Sequence, residues 1–155
     1  MCPRYYSPEP PNLTNPVEVL ENIKNKDPDQ TIVNLNNVEV PENTMIEIFD
    51  ALRGDEVHES PPTLTPTLTP TLPPTLQVLS TLSVANTALT DWAAANLAHT
   101  LECNGFLESV NIESNNVTPQ GLTKLFEALN VQESVTELKA MNQAAQVTIL
   151  CYFYY

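Results

Sequence analysis

The chain has 155 residues, of which 19 are acidic and 6 basic, for a formal charge of -13. That length is one domain's worth, enough to bury a modest core without staples, while the charge opposes nucleic acid and anionic membrane surfaces, where affinity is built from Lys and Arg. No run approaches the ~20 apolar residues needed to cross a bilayer, and the opening MCPRYYSPEPPN lacks the apolar centre of a signal peptide. A cytoplasmic location is expected. Cys2, Cys103 and Cys151 are odd in number and far apart, which argues for reduced thiols and against a disulfide framework or a zinc site. The sequons at Asn12 and Asn116 would matter only in the secretory route.

In chain order, residues 1–14 read as a flexible N-terminus. NPVEVLENIKNK then offers Asn15 as helix cap, Pro16 at the first turn and Glu18 at the capping-box position. This helix, ending before Asp27-Pro28, is expected to shield the open edge of a first strand, as terminal repeats must. The strand follows at 31–35, then an Asn-rich bend and a helix closed by Gly54, so that 15–57 forms a capping helix and first repeat. Residues 58–78 are dominated by Pro, Thr and Leu. Proline every few residues forbids helix and central strand alike, so a disordered insertion of extended character is expected. A role as ligand for a proline-reading domain is the weaker alternative, because no flanked P-x-x-P core is present.

Residues 79–143 resume the pattern. From Val33, apolar residues stand at offsets +2, +7, +12, +15, +16 and +19, namely Leu35, Val40, Met45, Ile48, Phe49 and Leu52. The same offsets from Val110 give Ile112, Val117, Leu122, Leu125, Phe126 and Leu129, and from Leu82 they give Val84, Leu89, Ala94, Leu97, Ala98 and Leu101. A fourth start at Leu138 reaches Ala140. Offset +4 holds Asn37, Asn86, Ser114 and Asn142. The starts at Leu82, Val110 and Leu138 are 28 residues apart, a βα unit within the leucine-rich repeat range, whereas Val33 stands 49 before Leu82 because of the insertion.

The expected fold is therefore α/β: a leucine-rich repeat solenoid, truncated in its fourth repeat, with an N-terminal capping helix, parallel strands at 31–35, 80–84, 109–112 and 137–140 in chain order, and helices on the convex side. Strand alternation puts Val33 and Leu35 toward the helices and Asn34, Ser83, Asn111 and Lys139 on the concave face. Thr90-Asp91 and Thr118-Pro119 mark helix starts, and Asn104-Gly105 suits a left-handed helix end. Residues 144–155 break the rhythm as an atypical hydrophobic tail of high strand propensity.

The phrases Val33-Asn34-Leu35-Asn36-Asn37, Asn111-Ile112-Glu113-Ser114-Asn115 and Asn142-Gln143 resemble the leucine-rich repeat domain of the tropomodulin and leiomodin family. The likeness covers Glu9 to about Val57 and Leu79 to Gln143. It implies an actin partner, since tropomodulins cap filament pointed ends with the help of tropomyosin and leiomodins nucleate filaments. The family's tropomyosin-binding helices have no counterpart here, so tropomyosin is a partner of the family only, and impaired capping is expected. The resemblance places candidate actin contacts in the loops after the strands, at Asn36, Asn37, Asn86, Thr87, Glu113, Ser114, Asn115, Asn116 and Asn142. Asn37, Asn86 and Ser114 read first as satisfying backbone groups at the bends, and contact at Glu113, Asn115 and Asn116 is more open.

His58 and His99 lack partner motifs, Trp92, Phe49 and Phe126 fall at or near core spacing, and Glu47 with Asp50 reads as a solvated helix face. With only three glycines, neither a phosphate loop nor a nucleophile elbow is present. No cofactor, metal or enzymatic activity is expected. Two further readings stand beside actin binding: a generic leucine-rich scaffold whose polar concave face holds another protein, and a nonfunctional splice or gene-model fragment.

Overall fold

A computed structural model of the chain describes residues 11–53, 79–131 and 133–144. The insertion at 58–78, His58, the closing Gly54, the first ten residues and the tail beyond Ala144 lie outside the described residues. Among the described residues, three βα units stand between a leading helix and a fourth strand: α1 (Pro16–Lys24), β1 (Ile32–Asn34), α2 (Glu42–Arg53), β2 (Thr81–Ser83), α3 (Asp91–Cys103), β3 (Ser109–Asn111), α4 (Pro119–Val131) and β4 (Glu137–Lys139). The strands form one parallel sheet in the order β1-β2-β3-β4. Val33 pairs with Leu82, Leu82 with Val110 and Val110 with Leu138, the register that the shared apolar offsets predict.

The core explains that register. Val33, Leu35, Met45, Ile48, Phe49 and Leu52 are buried with their counterparts Leu82, Val84, Ala94, Leu97, Leu101, Val110, Ile112 and Leu125 between the sheet and the row of helices. A slip of one residue would turn each strand's apolar side to water. Phe126 and Leu129, on α4, are only half-buried, packed against this cluster. Trp92 departs from expectation: it is 66% exposed. It stands at offset +10, on the first turn of α3 and between the positions that face the core.

Neighbouring helices are tied together at both ends. At their starts, the Thr90 hydroxyl donates to the Glu42 carboxylate, and Asp91 accepts from Thr118 N at 2.7 Å and Thr118 Oγ1 at 2.6 Å. Each first-turn acid thus holds a cap residue of an adjacent helix while lying in the positive end of a helix dipole. At their ends, Asn104 Nδ2 donates to Leu52 O at 2.7 Å, satisfying a carbonyl that the last turn of α2 leaves unpaired. Asn104 corrects the expected left-handed closure of α3. It is extended at φ -96° and ψ 114°, and its side chain accepts from Phe106 N and Leu107 N at 2.9 and 3.0 Å.

Asn15 and Pro16 start α1 as expected, with Asn15 accepting from Val17 N at 3.1 Å. The shielding of β1 is different. Helix α1 packs on α2, and side chains serve the strand edge instead: Asn12 Nδ2 donates to Asn34 O and Asn36 O at 3.1 and 2.9 Å, and Gln30 Nε2 to Ile32 O at 2.6 Å.

Gly121 lets α4 lie close against the start of α3. A Cβ there would come within 2.5 Å of Asp91 Oδ1 and 2.7 Å of Val117 Cγ1. Asp91 cannot swing away without releasing Thr118, so Gly121→Ala is expected to destabilise the fold by about 1 to 3 kcal/mol despite alanine's better helix propensity. Urea unfolding followed by circular dichroism checks this, and an unchanged or raised midpoint would show that the helices can spread.

Candidate functional site

The strands rise into four loops along one rim of the solenoid, and those loops carry the candidate residues. At offset +4, Asn37, Asn86, Ser114 and Asn142 have φ of 60°, 53°, 56° and 57°. Asparagine tolerates this left-handed region better than most residues, which accounts for three of the four. The backbones of the first three remain in the ladder: Asn37 N donates to Ala85 O, Asn86 N to Glu113 O and Ser114 N to Met141 O, at 2.9 to 3.0 Å. Their side chains are exposed. Asn86 Nδ2 reaches Asn37 Oδ1 at 2.9 Å, linking the first two loops.

One position before, Asn36 is half-buried, and its Oδ1 accepts from Ser83 Oγ at 2.7 Å and Ala85 N at 2.9 Å. Glu113, at the same offset two repeats on, is also half-buried, its N donating to Asn111 Oδ1 at 3.0 Å.

Offset +5 is interior. Asn115 is 1% exposed and clamps the preceding loop: its Oδ1 accepts from Thr87 N and Leu89 N at 3.0 Å each, and its Nδ2 donates to Val84 O and Ile112 O at 2.9 Å each. Thr87 is also buried, donating through Oγ1 to Val84 O at 2.9 Å. Burial removes both side chains from any contact surface. Sequence reading missed Gln143, which repeats the clamp one unit later: its Oε1 accepts from Val117 N at 3.1 Å and its Nε2 donates to Ile112 O at 2.9 Å. Its place at +5 from Leu138 is the signal that could have found it.

The outward rim is therefore Asn37, Asn86, Ser114, Asn116 and Asn142, with Asn36 and Glu113 half-buried among them. Trp92, one turn past the 85–89 loop, adds the single large apolar group of α3 that is exposed. Ala88, at φ 60° and exposed, lies within that loop, three residues before α3. A groove of about 190 Å³ behind this loop, lined by Val40, Met45, Leu89 and Ala93 among others, is smaller than the ~300 Å³ usual for a small-molecule site.

The concave face is polar. Ser109 Oγ donates to Glu137 Oε2 at 2.8 Å, and Lys139 Nζ lies 3.3 Å from Glu137 Oε1. The serine hydroxyl first, and then the ammonium, hold the Glu137 carboxyl below the ordinary carboxylate range. Elsewhere, His99 is exposed beside Glu102, and Glu47 and Asp50 are exposed and paired with Lys24 and Arg53. Among the described residues no cluster of His, Cys, Asp and Glu could hold a metal, and no helix is long and apolar enough to cross a membrane.

A family model described as the TMOD/LMOD Leucine-rich domain matches residues 71–149. Leiomodin-2 of Rattus norvegicus is 35% identical over 127 residues, which is 81% of this chain and 19% of the relative. Tropomodulin-4 of Homo sapiens is 30% identical over 145 residues, 91% of this chain and 36% of the relative. Among solved structures, Leiomodin-1 Actin-Binding Site 2 is similar with a TM-score of 0.67 at 28% identity, covering 86% of this chain and 65% of that one. The Caenorhabditis elegans tropomodulin C-terminal domain gives 0.68 at 26% identity, covering 86% and 68%. The chain thus spans about a fifth of leiomodin-2 and about a third of tropomodulin-4. With a family model matching more than half its length and relatives 30 to 35% identical over most of it, this chain belongs to the tropomodulin and leiomodin family.

Proposed function

We propose that this chain is a non-enzymatic actin-binding solenoid that contacts actin through its loop rim and contributes to regulation of filament pointed ends in the cytoplasm. The observation that carries the reading is the shared fold and 28% identity with a leiomodin-1 actin-binding site. The contact residues are Asn37, Asn86, Glu113, Ser114, Asn116 and Asn142, with Asn36 supporting the first loop. Thr87 and Asn115 act from inside by fixing loop shape. Trp92 is the anchor, since a large aromatic ring beside a polar rim is the usual composition of a binding hot spot.

The described residues carry one such contact region. Tandem modules gain ~10² to 10⁴ in avidity from a linked second site, and a charge of -13 gives no general steering toward acidic actin. Tested by itself, the chain is expected to bind actin weakly and to slow pointed-end elongation only at micromolar concentration, with no enhancement by tropomyosin. An elongation assay with barbed ends blocked, run with and without tropomyosin, tests this. Capping at nanomolar concentration, or strong tropomyosin dependence, would contradict the single-region reading. Complete absence of actin binding at high concentration would overturn the function.

A further inference from the structure

We propose that β4 is a docking edge for a second copy of this chain, the two β4 strands pairing antiparallel about a two-fold axis at Leu138. Among the described residues, β4 is the last strand of the sheet. Its ladder to β3 uses alternate residues: Glu137 N donates to Glu108 O at 3.0 Å, and Lys139 O and Met141 O accept from Ile112 N and Ser114 N at 2.8 and 2.9 Å. Alternation then turns the N–H and C=O of Leu138 outward. At the opposite edge of the sheet, Asn12 and Gln30 occupy the outward carbonyls of β1. No described side chain does the same for Leu138. An edge strand with pairing groups turned outward is a template for another strand. The layer beneath it is also incomplete, since Phe126, Leu129 and Leu138 are half-buried and Val131 is 72% exposed.

The order of charges selects a second copy as the occupant. Glu137 and Lys139 flank Leu138, both about half-exposed on the concave side. Antiparallel pairing centred on Leu138 makes the two Leu138 residues a hydrogen-bonded pair that exchanges both N–H···O bonds. It sets Glu137 of each copy opposite Lys139 of the other at the flanking non-hydrogen-bonded positions, where side chains approach most closely. Each contact occurs twice, as an isologous interface requires. The Leu138, Phe126 and Leu129 side chains of both copies meet on the helical side and close the apolar layer.

Sedimentation equilibrium of the full chain at physiological salt, across micromolar concentrations, tests the interface together with Glu137→Lys, Lys139→Glu and the double reversal. The unmodified chain is expected to show a concentration-dependent dimer. Each single reversal places like charges opposite one another twice per dimer and is expected to weaken the dimer about tenfold. The double reversal restores it, and an equimolar mixture of the two single variants forms a heterodimer. Circular dichroism establishes that all three variants are folded. A chain that stays monomeric throughout overturns the proposal, including the case in which its edge amides are protected in hydrogen exchange because residues 145–155 cover β4. A dimer indifferent to the single reversals, or one that the double reversal leaves as weak as the singles, overturns it too.

Discussion

Asn115→Ala is expected to lower stability by about 3 to 5 kcal/mol, because leaving a buried backbone donor or acceptor unpaired costs ~1 to 3 kcal/mol and several lose their partner together. Thr87 N, Leu89 N, Val84 O and Ile112 O all bond the Asn115 carboxamide. Water can rescue some of these groups, which keeps the loss below the sum. The effect is local in origin but spans two repeats, and in a solenoid the interface between neighbouring units carries much of the stability. Asn116→Ala, one residue on and exposed, is expected to change stability by no more than about 0.5 kcal/mol. Urea unfolding of the two variants side by side measures the contrast. A cost below about 1 kcal/mol for Asn115→Ala would show that the clamp is dispensable.

Trp92→Ala is expected to weaken actin binding by about thirtyfold, roughly 2 kcal/mol, while leaving the melting transition unchanged. The side chain is 66% exposed, so its truncation opens no core cavity, and the hydrogen bond from Asn96 Nδ2 to the backbone oxygen of residue 92 at 2.9 Å survives the change. A variant that binds actin as well as the parent in a pelleting assay would remove Trp92 from the contact. A large fall in melting temperature would instead place the indole in packing that its exposure does not show.

The solenoid was legible because its cause is periodic. Val33, Leu82, Val110 and Leu138 begin units with shared apolar offsets, and burial against one row of helices leaves each strand a single register. Cap positions were legible at Asn15, Thr90 and Thr118, where local chemistry decides the outcome. What failed needed three-dimensional information. Asn115 and Asn116 are the same residue type, and only the inward turn after the left-handed Ser114 makes one a clamp and the other a surface group. Trp92 was read by its apolar character, although offset +10 lies outside the core set. The edge of β1 was assigned to α1 by analogy with other terminal caps, whereas Asn12 and Gln30 reach it through bonds no periodicity encodes. Asn104 was read as a turn residue before glycine, but its carboxamide spans from α3 to Leu52, 52 residues away.

The rim as the actin-facing surface is tested most directly by amide hydrogen exchange of the full chain, with and without a saturating excess of monomeric actin. The expected result is slowed exchange in the loops at 36–38, 85–89 and 113–116, around Asn142 and in the first turn of α3, with the strands and the outer helix faces unchanged. Protection confined to the concave residues Asn34, Ser83, Asn111 and Lys139, or to the convex helices away from their starts, would contradict the account and move the contact to another face.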